Sequence, residues 1–347
     1  MLLPKDLFEN AIALKKVDRT PFWMMRQAGR YQKGYRELRE KYDFLTLCKI
    51  PELAAQVSLL PIEQFELDAV ILFSDILTAI EPLGLQLEFG EKGPVIHNPI
   101  KTAAEVAKLK LFDPAHELKY VADALKIIKS EIALDGYPLI GFSGAPYTLC
   151  VYMVEGKTTK NLVTVRALQY QDTELFKKLL TLTTKQTISY LQMQLSAGAD
   201  YVQLFDTWAG TLSREDYLEF AFPYEKEIIS ALQAKGGKVI LYVNNSGHLL
   251  DLLKETNADV FSLDWRTDIK YASELFADKA VQGNLDPTIL FASDERIAKS
   301  VENIFSALGR KTGHIFNLGH GVLPETKEEK VKYIIETVKR VSKKFYE

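Results

Sequence analysis

Two apolar runs decide the fold, Lys238-Val239-Ile240-Leu241-Tyr242-Val243 and Asp259-Val260-Phe261-Ser262-Leu263, and the helix-period segment Leu249–Thr256 lies between them. Both runs are nearly continuous instead of alternating with polar residues, which is typical of parallel strands covered on both faces. Parallel neighbours need a crossover connection, and a helix commonly supplies it. The stretch therefore predicts a β-α-β unit in a parallel sheet.

The same pattern recurs along the whole chain. The predicted strands are Pro21–Met25, Leu67–Phe73, Tyr137–Phe142, Tyr201–Phe205, Lys238–Val243, Asp259–Leu263, Ala280–Asn284 and His314–Leu318. The predicted helices include Glu105–Leu109, Glu117–Ser130, Asp172–Ser196, Leu249–Thr256, Arg296–Leu308 and Thr326–Lys344. Eight strands alternating with helices favour a closed (β/α)8 TIM barrel over a doubly wound sheet. Because no linker or internal repeat divides the chain, we expect one domain over residues 1–347.

Composition excludes several classes of protein. Hydrophobic residues make up 47% of the 347 residues, and the formal net charge of −3 argues against a broadly basic nucleic-acid binder. The two cysteines, Cys48 and Cys150, are far apart, so we expect buried thiols in a reducing cytoplasm. The N-terminus carries acids before any signal-length apolar run, and the apolar region Asp68–Leu87 is interrupted by Asp75 and Glu81. We therefore expect no signal peptide and no membrane span.

One segment is basic, although the chain as a whole has a slight negative net charge. Between Lys15 and Lys41 there are nine lysines and arginines and three acids, and the motif Arg26-Gln27-Ala28-Gly29-Arg30 directly follows the first predicted strand. Arginine stays ionised, and its planar group can bind a carboxylate or phosphate through two hydrogen bonds. Paired arginines at a strand end therefore indicate an anionic ligand. A surface salt-bridge cluster explains this segment, taken alone, equally well.

The barrel hypothesis predicts that reactive side chains collect at the carboxyl ends of the strands. Polar residues do follow the predicted strands, namely Arg26, Arg30, Ser74, Asp75, Ser143, Asp206, Thr207, Asn244, Asn245, Asp264, Asp286 and His320. Helix caps also occur at these positions in any α/β protein, so Asp75 has a structural explanation beside the functional one. Glycines on both sides of His320 allow close approach of a ligand to the backbone. Thr207 and Tyr152 are weak signals by themselves.

Other reaction classes lack their motifs. The chain has no GxGxxG or GxxxxGK[ST] loop for phosphates and no GxSxG nucleophile elbow. Its five histidines and two cysteines are dispersed, and His116-Glu117 is not followed by the second histidine of a metalloprotease helix. Arginines, one carboxylate, a hydroxyl, a phenol and an imidazole remain. That set predicts an anion-binding site without metal or cofactor.

Six segments together resemble the uroporphyrinogen decarboxylase family, and the resemblance runs from about residue 5 to the C-terminus. They are Phe22–Tyr31, Phe73–Leu77, Gly141–Pro146, Tyr152–Gly156, Gln282–Pro287 and Asn317–Gly321. The resemblance implies a single (β/α)8 barrel that is homodimeric, cytoplasmic in bacteria and free of cofactors. It implies removal of carbon dioxide from the four acetate side chains of uroporphyrinogen III, which gives coproporphyrinogen III for haem synthesis.

Carried over by position, the resemblance also implies the site residues. Substrate binding falls on Arg26, Gln27, Ala28, Gly29, Arg30, Asp75, Tyr152, Thr207 and His320, and catalysis on Asp75 and Arg26. Arg39 matches a further arginine near the site. Either Arg26 or a water held by Arg26 or His320 supplies the proton. The chain departs from the family at Gln32-Lys33-Gly34, at Tyr147 and at Thr207, where serine is common.

Two alternatives stay open. A corrinoid-dependent methyltransferase on the same barrel needs a zinc-binding cysteine set, and Asn245-Ser246-Gly247-His248-Leu249 contains no cysteine. A non-catalytic tetrapyrrole carrier needs the arginines but has no need for Asp75.

Overall fold

Seven parallel strands form one curled sheet in the computed structural model, which describes residues 2–90, 93–159 and 161–347. In chain order the strands are β1 (Val70–Ile71), β2 (Leu87–Gly90), β3 (Gly93–Ile96), β4 (Leu139–Gly144), β5 (Tyr201–Asp206), β6 (Val239–Val243), β7 (Val260–Ser262), β8 (Ala280–Gln282) and β9 (His314–Ile315). The sheet runs β1-β4-β5-β6-β7-β8-β9, so sheet order follows chain order. β2 and β3 form a separate antiparallel hairpin that the sequence did not predict.

The predicted first strand, Pro21–Met25, forms only one parallel bridge, between Phe22 and Phe316. Its neighbours are nevertheless the two edge strands of the sheet. Phe316 N–H donates to Pro21 O at 2.9 Å, and Asp68 N–H donates to Phe22 O at 2.8 Å.

In this segment, side-chain oxygens accept hydrogen bonds from backbone N–H groups that would otherwise bond to a neighbouring strand. Met24 N–H donates to Gln27 Oε1 at 3.2 Å, and Met25 N–H donates to Asn317 Oδ1 at 3.0 Å. Of the eight strands that we expected in a closed barrel, the curled sheet therefore contains seven.

Helices precede, connect and follow the strands of the sheet. They are α1 (Pro4–Ile12), α2 (Lys33–Lys41), α3 (Phe44–Lys49), α4 (Pro51–Gln64), α5 (Ala103–Val106), α6 (Pro114–Glu117), α7 (Lys119–Glu131), α8 (Pro146–Glu155), α9 (Val163–Gln171), α10 (Thr173–Ser196), α11 (Arg214–Phe220), α12 (Phe222–Gln233), α13 (Leu250–Lys254), α14 (Ile269–Leu275), α15 (Asp294–Leu308) and α16 (Glu328–Tyr346). Each predicted helix overlaps at least one of them. Among the described helices, none combines the length and apolar character needed to cross a membrane.

Side chains fill the inside of the curled sheet. Ile140, Ile240 and Ile315 belong to one buried cluster, and Phe8 of α1 joins it with its ring centre 5.8 Å from that of Tyr201. Farther along the strands, polar side chains pair with one another. Trp23 Nε1–H donates to Gln282 Oε1 at 2.9 Å, and Gln282 Nε2–H donates to Gln203 Oε1 at 3.1 Å. The interior is therefore a packed core, as in TIM barrels.

Candidate active site

A cavity of about 530 Å³ opens where the segments that follow the strands meet. It is lined by every residue that the resemblance assigned to substrate binding or catalysis, namely Arg26, Gln27, Ala28, Gly29, Arg30, Asp75, Tyr152, Thr207 and His320. Apolar and aromatic side chains, including Ile71, Phe142 and Phe205, complete the wall. The cavity thus combines a largely apolar surface with charges of both signs, which suits a ligand with an apolar body and charged arms.

Gln27 holds in place the turn Arg26–Arg30, which we call the arginine turn. Its buried side chain donates through Nε2 to Ala69 O at 3.0 Å and accepts at Oε1 from Met24 N–H at 3.2 Å. Tyr31 Oη–H donates to Gln27 O at 2.6 Å. Because both ends of the Gln27 amide are bound to backbone, its side chain positions the turn and has little capacity left for a ligand.

The turn leaves two kinds of hydrogen-bond donor free. Arg26 and Arg30 are exposed side chains that line the cavity. In the part of the chain that the structure describes, the backbone N–H groups of Ala28, Gly29 and Arg30 have no acceptor. Guanidinium and successive amide N–H groups are both good donors to carboxylate oxygens.

Asp75 caps a turn and also faces the cavity. Its Oδ1 accepts from Leu77 N–H at 2.8 Å and caps the 3₁₀ turn Ile76–Ala79. Within the described residues Oδ2 takes no hydrogen bond, and the side chain lines the cavity. Burial raises the pKa of Asp75 to about 6, and the Leu77 N–H and the Arg26 charge oppose that rise. The carboxylate is therefore ionised at neutral pH with one oxygen available to a ligand.

His320 is a neutral hydrogen-bond donor. Burial, together with the positive charges of Arg26 and Arg266, lowers the pKa of His320 to about 4. Gly321 N–H donates to His320 Nδ1 at 2.8 Å, so the proton of the neutral ring is on Nε2. The ring packs edge-on against Tyr242, with ring centres 6.5 Å apart.

Tyr242 is a wall residue that sequence reasoning missed. It is the cross-strand partner of Phe205, and Phe205 packs edge-on against Phe142, so three neighbouring strands each supply one ring. Tyr242 Oη–H donates to Gly319 O at 2.9 Å and ties the wall to the His320 segment. The sequence offered no signal for this role, because a tyrosine inside a buried strand is ordinarily a core residue.

Arg39 lies outside this cavity. Its Nη1 donates to Tyr42 O at 2.6 Å, and its side chain lines a neighbouring groove that shares Phe44 with the cavity.

Three aspartates that follow strands serve the loops instead of the cavity. Asp206 is fully buried and accepts from Thr148 Oγ1 at 2.6 Å. Asp264, also fully buried, accepts from Ser246 N–H at 3.2 Å. Asp286 caps a turn by accepting from the N–H two residues later at 2.8 Å. Asp206 and Asp264 also accept from backbone N–H groups just after them, Ala209 at 3.0 Å and Arg266 at 2.8 Å, so the structural explanation fits all three positions.

Cys48 and Cys150 are both free and buried. No three histidine, cysteine, aspartate or glutamate side chains of the described residues come together as metal ligands. His248, the histidine of the segment compared with the zinc motif, bonds to Leu212 O through Nε2 at 2.9 Å.

The fold and the cavity define an α/β protein whose curled parallel sheet carries, at the strand ends, a cavity lined by two arginines and one aspartate. The family model described as "Uroporphyrinogen decarboxylase (URO-D)" matches residues 3–341. The uroporphyrinogen decarboxylase of Geotalea daltonii is 45% identical over 335 residues, 96% of this chain and 98% of that protein. That of Carboxydothermus hydrogenoformans is 43% identical over 344 residues, 99% and 98% of the two chains. The chain belongs to the uroporphyrinogen decarboxylase family, and it is a carboxy-lyase.

A solved methyltransferase from Methanosarcina mazei has the same fold, with a TM-score of 0.78 and coverage of 98% of this chain and 99% of that chain. Its sequence identity is 19%, so this similarity concerns the fold alone.

Proposed function

We propose that the cavity binds uroporphyrinogen III and that the protein removes carbon dioxide from its four acetate side chains, giving coproporphyrinogen III in haem biosynthesis. One observation carries the proposal: Asp75, Arg26 and Arg30 line the same cavity. One carboxylate and two cations can therefore act on a single bound polyacid. The full-length similarity to enzymes of that name supports the same activity.

The arginine turn holds carboxylate arms of the substrate. Arg26 and Arg30 offer charged donors, and the free N–H groups of residues 28–30 offer neutral ones. A hydrogen bond to a charged group contributes about 1.5–3 kcal/mol, less the desolvation that binding requires. The hydroxyls of Tyr152 and Thr207 and the Nε2–H of His320 provide further donors around the cavity.

Decarboxylation needs an acceptor for the electron pair of the broken C–C bond. A pyrrole ring protonated at a carbon next to nitrogen is cationic and accepts that pair as carbon dioxide leaves. The resulting exocyclic methylene then takes a proton and becomes the methyl group, while the ring carbon loses the proton it first gained. Each acetate thus exchanges carbon dioxide for one proton, and the ring itself supplies the electron sink.

Asp75 stabilises the cationic ring. Its free Oδ2 is available to the pyrrole N–H groups of a macrocycle in the cavity. A carboxylate about 4 Å from a unit positive charge stabilises it by about 4 kcal/mol at an effective dielectric constant of 20. The neutral ring of the ground state gains less, so the interaction favours the transition state.

The proton comes from a water molecule held at Arg26 or His320. Arginine is a poor acid because its pKa is very high. His320, with a pKa of about 4, is a neutral imidazole at pH 7 and has no imidazolium proton to give. Both side chains are donors, so either can orient a water oxygen. Arg26 acts in catalysis by placing that water and by binding carboxylate.

We also propose the finer architecture. Segment Pro21–Met25 is the eighth strand that closes a (β/α)8 barrel, since its hydrogen bonds reach both edges of the sheet. The chain is one domain, and it works as a cytoplasmic homodimer without metal, cofactor or nucleic acid, as its resemblance to the family implies.

The decisive experiment incubates the purified protein with uroporphyrinogen III under anaerobic conditions. We expect release of carbon dioxide and formation of coproporphyrinogen III, without added metal. Binding of the substrate without carbon dioxide release would make the protein a carrier. Zinc-dependent methylation of a thiol would make it a methyltransferase, and either result would refute the proposal.

A further inference from the structure

Gly321 has no side chain, and the side chain of Arg26 occupies the space that one would fill. A Cβ atom added to Gly321 would lie 2.4 Å from Arg26 Cδ, 2.7 Å from Cγ and 3.0 Å from Nε. Non-bonded carbon atoms approach favourably only to about 3.5–4.0 Å. The stem of Arg26 therefore crosses directly over Gly321, and any larger residue there would move it.

The backbone beside Arg26 is held on one side by the segment that contains Gly321. Met25 N–H donates to Asn317 Oδ1 at 3.0 Å, and Met25 O accepts from Val322 N–H at 2.9 Å. Arg26 itself has φ +58°, in the left-handed region that residues other than glycine adopt uncommonly. Because the backbone is fixed in this way, an added atom at position 321 displaces the flexible side chain of Arg26 first.

The place of the Arg26 charge matters to Asp75 and to His320, which both line the cavity. Its positive charge lowers the pKa of His320 and limits the rise in the pKa of Asp75. The other charges that act on His320 come from Arg266, which also lowers its pKa, and from Asp264, which raises it. Arg26 is therefore close enough to influence both ends of the site at once.

We propose that Gly321 is a positioning residue, which leaves room for the stem of Arg26 and so lets its guanidinium reach, in the cavity that Asp75 and His320 also line, the position that decarboxylation requires. The inference rests on the proposed function and adds to it a residue that acts only through Arg26. It predicts that the harm done by a side chain at position 321 depends on the presence of the Arg26 side chain.

Other glycines provide contrasts for the experiment. Gly321 does not have a positive φ, so alanine there avoids the strain of the left-handed region. At Gly319 a Cβ would lie 2.3 Å from the backbone nitrogen of Trp265, so alanine there would disturb the backbone itself. At Gly247, in the loop that follows β6, a Cβ would meet nothing within 4 Å. Gly247→Ala is therefore the matched control.

The test is a double-mutant cycle that measures kcat/KM for the decarboxylation. We expect Gly321→Ala to lower kcat/KM about 100-fold in the wild-type background, since displacement of a catalytic group by about 1 Å has effects of this size. In the Arg26→Ala background the same change should alter kcat/KM by no more than about twofold, the usual scatter of such cycles, because the side chain that it would displace is absent. Gly247→Ala should leave the activity unchanged. Equal losses from Gly321→Ala in both backgrounds would overturn the proposal.

A second readout does not depend on turnover. In Gly321→Ala the pKa of His320, followed by NMR, should rise from about 4 because the Arg26 charge has moved away. An unchanged titration would also overturn the positioning role. If Gly321→Ala fails to fold, the variant that also carries Arg26→Ala should fold, and failure of both would refute the proposal. If the wild-type protein releases no carbon dioxide, the proposed function fails, and the NMR titration still tests the positioning.

Discussion

Replacing Asp75 by asparagine separates the charge of this residue from its capping bond. Asparagine keeps an oxygen that can accept from Leu77 N–H, so the turn Ile76–Ala79 should remain intact. The variant loses only the negative charge that faces the cationic ring. A loss of about 4 kcal/mol corresponds to about a thousandfold decrease in kcat, while substrate affinity changes comparatively little.

The same substitution should stabilise the folded protein at neutral and alkaline pH. Burial raises the pKa of Asp75 from 3.8 to about 6, so the folded state holds the proton more tightly than the unfolded state. The resulting stabilisation is complete below pH 3.8 and is lost as the pH rises through about 6. Above that pH the charge costs at most about 3 kcal/mol, and less where cavity water screens the carboxylate. Asparagine avoids this cost.

The assay compares Asp75→Asn with Asp286→Asn, the same chemical change at a strand-end cap outside the cavity. We measure kcat and KM for uroporphyrinogen III and the unfolding temperature between pH 4 and pH 8. The wild-type rate should rise with pH through about 6, and Asp75→Asn should lose this dependence and unfold at a higher temperature at pH 8. A near-normal kcat for Asp75→Asn, or an equal loss in Asp286→Asn, would refute the reasoning.

Three further predictions concern binding, protonation and stability. Arg30→Ala should raise KM by about 10- to 150-fold with little change in kcat, because it removes one charged contact of about 1.5–3 kcal/mol, and an affinity titration checks this. His320→Gln keeps a donor and should retain the dependence on pH near 6, since His320 is already neutral there; loss of that dependence would mean that His320, not Asp75, causes it. Burial raises the pKa of Glu225 and of Asp206 beside it, so stability is lost as the pH rises, and Glu225→Gln should raise the unfolding temperature more at pH 8 than at pH 5.

The sheet could be predicted because its strands are buried on both faces. All residues of Leu139–Gly144 and Val239–Val243 are buried, and such strands appear in sequence as continuous apolar runs. Arg26, Arg30, Asp75 and His320 could be proposed from their places after predicted strands, because parallel strands bring the segments that follow them to one end, whereas Tyr152 and Thr207 were assigned only through the family resemblance. The place of a residue directly after a predicted strand therefore indicated its place in the fold.

What the sequence could not predict depends on contacts between distant side chains. Pro21–Met25 is not a regular strand because the side chains of Gln27 and Asn317 accept hydrogen bonds from its backbone N–H groups. Likewise, the sequence placed Gln27 among the binding residues, but its amide is bonded to backbone on both sides. A local sequence pattern does not show which backbone group a side-chain amide from another loop will bond to.

The distribution of charge explains how one cavity can bind a polyanion and also stabilise a cation. Arg26 and Arg30 are exposed at the turn, where water reduces the cost of holding two like charges near each other, whereas Asp75 is half-buried under apolar walls. A lower dielectric constant strengthens the attraction between a carboxylate and a cationic ring, and the same burial raises the carboxyl pKa toward neutrality. The Leu77 N–H and, to a smaller extent, the Arg26 charge oppose that rise, and with a pKa of about 6 Asp75 is mostly ionised at pH 7. The positions of these groups therefore assign the exposed cations to the substrate carboxylates and the half-buried carboxylate to the ring, as the proposed function requires.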